Sequence, residues 1–261
     1  GAGLGAAAPS VVDWLLPLAL ATSALGVLGA LAAHSLGRLV AYLTVASVGT
    51  ILAGVGLFTP GALSAALYYT LHSTLVIAGL FLLVELIAAQ RGEVGDRLQP
   101  AFAVREPVLL GGMLLFGAAS AAGLPPLPGF LGKLMVLQAS SGLATQAWVW
   151  SVVLVVGFFT IIGLARAGVI VFWHVQPLKG ASGPGSGAAL LAPVWVFMAL
   201  TIALAVAASP VKRYTDAAAA QLAVPADYVR AVLGAGAEPT TRRYDGQRVT
   251  PASSMEQELR P

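Results

Sequence analysis

The stretch Gly123-Leu-Pro-Pro-Leu-Pro-Gly-Phe-Leu-Gly-Lys133 decides how this chain is read. It interrupts an apolar run from about 104 to 141, which is too long for one simple crossing, since a bilayer needs about 20 residues per helix. Pro125, Pro126 and Pro128 each lack a backbone donor and, with Gly129, they break the helix. The run therefore reads as two half-helices joined by a break at 123–129. Lys133 follows the break by four residues and has apolar sequence on both sides. A cation at that depth costs about 2.5–3.5 kcal/mol on insertion scales, so an intramembrane Lys marks function by default. Irregular backbone survives in a membrane only where protein or water surrounds it. A broken helix beside a buried titratable group is how ion-coupled transporters build their sites.

Composition agrees with a membrane setting. Only 10% of the 261 residues are charged and 58% are hydrophobic, whereas soluble domains carry about 25% charged residues. Mean hydropathy is +0.86. Cysteine is absent, which removes disulfides and thiolate metal sites. The net charge of +3 is spread without a dense basic cluster, so nucleic acid is not an expected partner. The first span lacks a basic flank and a cleavage site and carries Asp13, so it does not read as a secretory signal. The chain opens Gly1-Ala-Gly-Leu without Met and is read as a fragment or a processed chain.

Six hydrophobic spans stand out, at about 11–33, 38–59, 62–90, 104–141, 146–175 and 188–209. The expected fold is an all-α integral membrane bundle of six transmembrane helices, one of them broken, over 1–209. A C-terminal tail, partly amphipathic and partly polar, occupies 210–261. The loops after spans one, three and five carry Arg38, then Arg91, Arg97 and Arg105, then Lys179; the loops after spans two and four carry no Lys or Arg. The positive-inside rule places the Arg-bearing loops in the cytoplasm. The tail holds seven positive and six negative charges. Its first part, Tyr214 to Leu233, reads as amphipathic helix with Tyr214, Leu222, Val229 and Val232 as apolar contacts; beyond Gly234 it reads as disordered or partner-bound.

Several side chains carry chemistry in this frame. Lys133 either moves protons, caps carbonyls freed at the break or snorkels to an interface, which about ten apolar residues on each side make hard. His72, in Tyr68-Tyr-Thr-Leu-His-Ser-Thr74, lies about 15 Å into the third span by helix rise. An imidazole there either relays protons, with Ser73 and Thr74 to hold water, or is a neutral hydrogen-bonded core residue. Glu85 and Arg166 fall at similar depths near the cytoplasmic side; they read as a structural ion pair or as a site of proton uptake. Thr44, Ser47 and Thr50 recur every three residues and, with Tyr42, offer a hydrophilic lining; packing is the competing reading. Gly49 and Gly56 read as close-packing positions. No phosphate-binding loop, dinucleotide fingerprint, metal-ligand spacing or catalytic constellation is present, so neither an enzyme nor a cofactor is expected.

The segment 123–133 resembles the GLPPLxGFxGK segment of the antiporter-like subunits shared by respiratory complex I and Mrp-type sodium/proton antiporters. Arg38-Leu-Val-Ala-Tyr42 with Ser47-Val-Gly49 is similar to that family's RLLAYSSxxxxG segment, and 68–83 resembles its H…ALFLL helix. Together these motifs cover about 35–135. Within the family, His72-Ser-Thr-Leu-Val76, the segment around Arg166, Arg213-Tyr-Thr-Asp216 and Tyr228 to Leu233 resemble the D-type subunits of the Mrp branch, also called Mnh or Pha.

The resemblance implies spans nine to fourteen of a fourteen-span subunit, the second of two inverted repeats. It implies that Lys133 is the proton-translocating Lys of the second broken helix and that His72 belongs to a central hydrophilic axis. It implies a subunit of a multisubunit sodium/proton antiporter in a bacterial inner membrane, with other membrane subunits as partners and protons and monovalent cations as cargo. The alternative is a proton-pumping or structural subunit of a complex I-type NADH dehydrogenase or membrane hydrogenase. The chain departs from many relatives where Val76 or Ile77 replaces a Lys and where no His stands near Ser47, so water and hydroxyls must bridge the relay.

Overall fold

The structure is a computed structural model that describes residues 8–175, 185 and 187–223, with side chains from Asp13 onward. Its regular elements among these residues are helices: α1 Ala8–Ala32, α2 Leu36–Gly56, α3 Pro60–Gln90, α4 Pro107–Ala122, α5 Pro128–Ser140, α6 Gln146–Phe172, α7 Ala188–Val206 and α8 Ala208–Ala223. Five of these are long and apolar enough to cross a membrane, and α4 is a shorter apolar helix. The fourth span is the broken one, formed by α4 and α5 end to end. The fold is that of a multi-pass helical membrane protein, as the apolar runs predict.

Local signals set the helix ends. The side chains of Ser35 and Thr59 accept from Arg38 N and Ala62 N at the starts of α2 and α3, satisfying donors that a helix leaves open. Proline opens α3, α4 and α5, where its missing N–H costs nothing. The first two helices pack so closely that a Cβ at Gly49 would collide with the Ser23 backbone, and one at Gly56 would stand 3.1 Å from Leu16. Both glycines are close-packing positions, as the sequence suggests.

The connections α1–α2 and α3–α4 meet at one end of the bundle. Leu36 N donates to Asp96 O at 2.8 Å and Leu98 N to His34 O at 2.9 Å. This end, the basic end of the bundle, carries Arg38, Arg91, Arg97 and Arg105. Exposed tryptophans mark both ends, Trp173 at the basic end and Trp14 and Trp148 at the far end, as interfacial belts do.

Two large apolar cores fill the bundle, and a third, small cluster joins Val27, Ala46 and Val156 of α1, α2 and α6. One large core lies toward the basic end, around Leu36, Leu39, Leu83, Ile87, Leu110 and Leu164. The other lies toward the far end, around Leu16, Ala53, Ala62, Val136 and Val153. On α3 the first begins at Val76 and the second ends at Ala65. The gap between them holds Tyr68, Tyr69, His72 and Ser73, all buried. A polar layer therefore crosses the middle of the bundle, at the level of the break.

At the far end α8 docks on α3. Ser64 Oγ donates to Asp216 Oδ1 at 2.6 Å and lies 2.9 Å from Thr215 Oγ1. Thr215 and Ala219 are the buried residues of α8, whereas Tyr214 and Leu222 are exposed. The polar clasp, rather than Tyr214 and Leu222 of the four apolar contacts read from sequence, marks the face of α8 that turns inward. Val229 and Val232 lie outside the described residues, as does Lys179.

Candidate functional site: the broken helix and its polar layer

The break is built by its own residues. Gly123 ends α4 in the left-handed conformation, φ 85°, which a side chain would strain. Its N–H and that of Leu124 close back on Ala119 O, a helix-ending motif. Pro128 then opens α5. The last carbonyls of α4 would otherwise point into a buried gap, where an unpaired acceptor is costly.

Lys133 fills that gap. Its Nζ donates to Ala122 O at 2.7 Å and to Ala121 O at 3.2 Å. The ammonium also sits at the negative end of the α4 dipole, which favours a cation. Gly157 of α6 faces the same spot: a Cβ there would lie 3.3 Å from Ala122 O and 3.6 Å from Nζ. Lys133 is buried at 8% exposure, and no carboxylate among the described residues pairs with it. The capping reading of Lys133 is therefore a geometric fact, and the partners it gives the cation are neutral.

His72 adjoins the break from α3. A Cβ on Gly129 would collide with Ser120 O and lie 2.8 Å from His72 Nε2. Only glycine lets the imidazole and the end of α4 approach the start of α5 so closely. His72 is 1% exposed, and its Nδ1 has no hydrogen-bond partner among the described residues. The Ser120 hydroxyl, fully buried, also has none. Two orphaned polar atoms beside one break are unusual, because buried polar groups are nearly always paired.

On the other side of Lys133, a cavity of about 10 Å³ is lined by Lys133, Tyr69, Ser47, Thr50 and Thr160, room for about one water molecule. Tyr69 shares this lining with Ser47 and Thr50, and its ring stands 5.5 Å from that of His72. The polar groups around Lys133 thus come from α2, α3, α4 and α6 together. A larger cavity, about 600 Å³ between α4 and α6, is lined by apolar side chains such as Leu115, Ile161 and Phe172 and lies outside this layer.

The structure brings together some of the residues read from sequence and separates others. Lys133, His72, Ser47 and the break at Pro125, Pro126, Pro128 and Gly129 form one neighbourhood, and Ser73 is buried beside His72 on α3. Thr44, Tyr42 and Thr74 turn elsewhere. Thr44 and Thr74 donate to the carbonyls of Val40 and Thr70 one turn back, and Tyr42 is 44% exposed, packed over Gly29. The reason is helical phase: at about 100° per residue, positions 44 and 50 are about 120° apart, and 72 and 74 about 160° apart.

The ion pair between Glu85 and Arg166 does not form. Both are exposed, and Arg166 Nη2 instead donates to Ala33 O at 2.9 Å, at the end of α1. Helix-terminal carbonyls were the nearer acceptor. Sequence reasoning missed Ser120, which hides in a run of Gly and Ala, and Thr160, which a back-bond to Val156 O conceals; their only signal was a hydroxyl in the middle third of a span.

Fold and site together define a multi-pass membrane protein with a lysine-capped broken helix in a central polar layer. The chain belongs to the family described as NADH:quinone oxidoreductase/Mrp antiporter, transmembrane, which matches residues 4–163. It is 31% identical over 217 residues to the D-type subunit of a Na(+)/H(+) antiporter of Bacillus subtilis, covering 83% of this chain and 43% of that protein. It is 31% identical over 263 residues to the D-type subunit of a probable K(+)/H(+) antiporter of Rhizobium meliloti, covering 90% and 48%. Among solved structures it resembles a chain of the Mrp complex from Dietzia sp. DQ12-45-1b, with a TM-score of 0.74 and 27% identity, covering 85% of this chain and 49% of that one. The chain spans less than half the length of these two curated relatives.

Proposed function

We propose that this chain is the second half of an antiporter-like subunit and carries part of a proton pathway in a multisubunit monovalent cation/proton antiporter of a bacterial plasma membrane. On this reading 1–209 forms the membrane bundle and other membrane subunits are its partners. The observation that carries it is the ammonium of Lys133, held on the end of α4 by neutral carbonyls, between His72 and the hydroxyl-lined cavity.

The chemistry follows from that position. A protonated Lys133 donates to two backbone carbonyls and offsets the dipole of α4. Loss of its proton removes that attraction and weakens the link between the half-helices. The protonation state is thereby coupled to the geometry of the break. His72 and Ser120, with unsatisfied polar atoms, and Ser47, Thr50, Tyr69 and Thr160, around the small cavity, supply the sites through which water extends the path. An imidazole is suited to both halves of such a transfer. The identities to antiporter subunits from two organisms favour cation exchange over redox-driven pumping.

The test is Lys133→Ala in the full complex, read as cation-dependent proton exchange in everted vesicles. Exchange falls to background while the complex still assembles. Normal exchange removes Lys133 from the pathway.

A further inference from the structure

A second polar cavity lies away from the break, at the basic end. Its volume is about 560 Å³, and His34, Arg38, Asp96 and Arg97 are among its lining side chains. Its walls are the α1–α2 and α3–α4 connections, joined where Ser35 bridges Arg97 and where Leu36 and Asp96, and Leu98 and His34, share backbone hydrogen bonds. Behind them Arg91, 1% exposed, donates to Gly95 O and Arg97 O at 2.8 Å and to Gln99 O at 2.6 Å. The loop is fixed in place before any ligand arrives.

Charge decides what the cavity accepts. Arg38 and Arg97 are both exposed, so their guanidinium groups are free to meet a ligand. Asp96 is the one carboxylate in the lining, and its Oδ2 already accepts from Gly37 N at 3.1 Å. Two guanidinium groups and the His34 imidazole therefore face one carboxylate that is turned to the start of α2. A cation is repelled from such a site. A phosphate group is favoured, because the planar guanidinium fork matches its oxygens.

Depth decides where that phosphate comes from. The cavity sits where α2 begins and α3 ends, at the edge of two spans long enough to cross the bilayer, and at the same end as the exposed Trp173. Lipid headgroups occupy this level. We propose that the cavity binds the phosphate group of an anionic phospholipid between Arg38 and Arg97. The site is independent of the role given to Lys133.

The experiment uses the full-length complex that contains this chain, purified in neutral detergent and titrated with phosphatidylglycerol or phosphatidylcholine, with bound lipid counted by native mass spectrometry. Basic residues near an anionic lipid contribute about fivefold each to affinity. Retention of phosphatidylglycerol falls by about that factor per arginine in R38Q/R97Q, and stays unchanged in R213Q at the far end. Phosphatidylcholine retention is the same in all three. Unchanged phosphatidylglycerol retention in R38Q/R97Q overturns the site. Displacement of the lipid by millimolar inorganic phosphate overturns the lipid source and leaves a site for a soluble phosphate. An acidic protein segment found on this face with no lipid also overturns it. If the double variant assembles poorly, R97Q alone carries the same test, a fall of about fivefold supporting the site and none refuting it.

Discussion

Lys133 Nζ lies 2.7 Å from the carbonyl oxygen of Ala122, so a side chain of the second half-helix closes the end of the first. The bond spans a break that Gly123 and Pro128 open. It makes one titratable group part of the backbone architecture of the site.

The tightest steric requirement in that architecture is at Gly129. A Cβ there meets Ser120 O and His72, so Gly129→Ala forces the half-helices apart. Overpacking of this kind costs about 1–3 kcal/mol. Gly112→Ala, in the exposed part of α4 with nothing within 4 Å, raises stability or leaves it unchanged. Thermal unfolding of the two variants in detergent distinguishes them; equal midpoints would contradict the packing described at the break.

Ser120 separates a packing role from a pathway role. Its hydroxyl has no partner among the described residues, so Ser120→Ala removes no hydrogen bond and, by relieving an unpaired buried hydroxyl, leaves stability unchanged or raises it. If the hydroxyl holds water on the proton route, the same substitution slows exchange several-fold, whereas Thr74→Ala, exposed and back-bonded, does not. Full exchange in the Ser120 variant would remove it from the path.

Arg91 is a cation of a different kind. Burial pushes its guanidinium down from the ordinary value, while Asp96 pulls it back up, and an arginine stays charged throughout. Three carbonyls depend on it. Arg91→Gln leaves them short of donors and destabilises the α3–α4 connection by about 2–4 kcal/mol. Arg91→Lys restores the charge without the fork and recovers only part of this. Hydrogen exchange across 92–101 reports the loss, and protection equal to wild type in the Gln variant would count against the role given to Arg91.

The docking of α8 depends on pH through Asp216. Hydrogen bonds from Lys212 and then Ser64 hold its carboxyl below the usual carboxylate range. A carboxylate lowered on folding stabilises above its unfolded value, about 3.9, and that contribution is lost as pH falls through the folded value. Docking is therefore constant at neutral pH and weakens only in acid below about 4. The pair is exposed, with side-chain exposures of 48% and 44%, so salt weakens it too. Asp216→Asn abolishes the acid dependence of a cross-link between α3 and α8; a persistent dependence would place the titrating group elsewhere.

Much of this was legible in the sequence where a physical rule has a long reach. Run lengths located the spans, and three prolines beside Gly129 located the break between α4 and α5. Lys133 was legible because a cation among apolar residues is costly. Its partner atoms were not, since which carbonyls an amine reaches depends on the angle between two half-helices. Arg91 looked like one more topogenic charge, yet it is among the most deeply buried side chains of the protein. Its acceptors are loop carbonyls, and no periodicity announces where a loop folds back. Thr44 and Tyr42 failed because a three-residue spacing drifts around a helix, and the Glu85–Arg166 pair failed because equal depth does not mean facing sides.

The proposed role of Lys133 is to move protons as well as to cap α4. Lys133→Gln tests this, because the amide is a neutral N–H donor, one bond shorter than the ammonium that now meets Ala122 O, and cannot be protonated near neutral pH. Cation-dependent proton exchange in vesicles carrying the assembled variant complex is the measurement. The variant complex is expected to assemble and not to exchange; exchange at the wild-type rate would rule out a proton-carrying role and leave Lys133 as a helix cap alone.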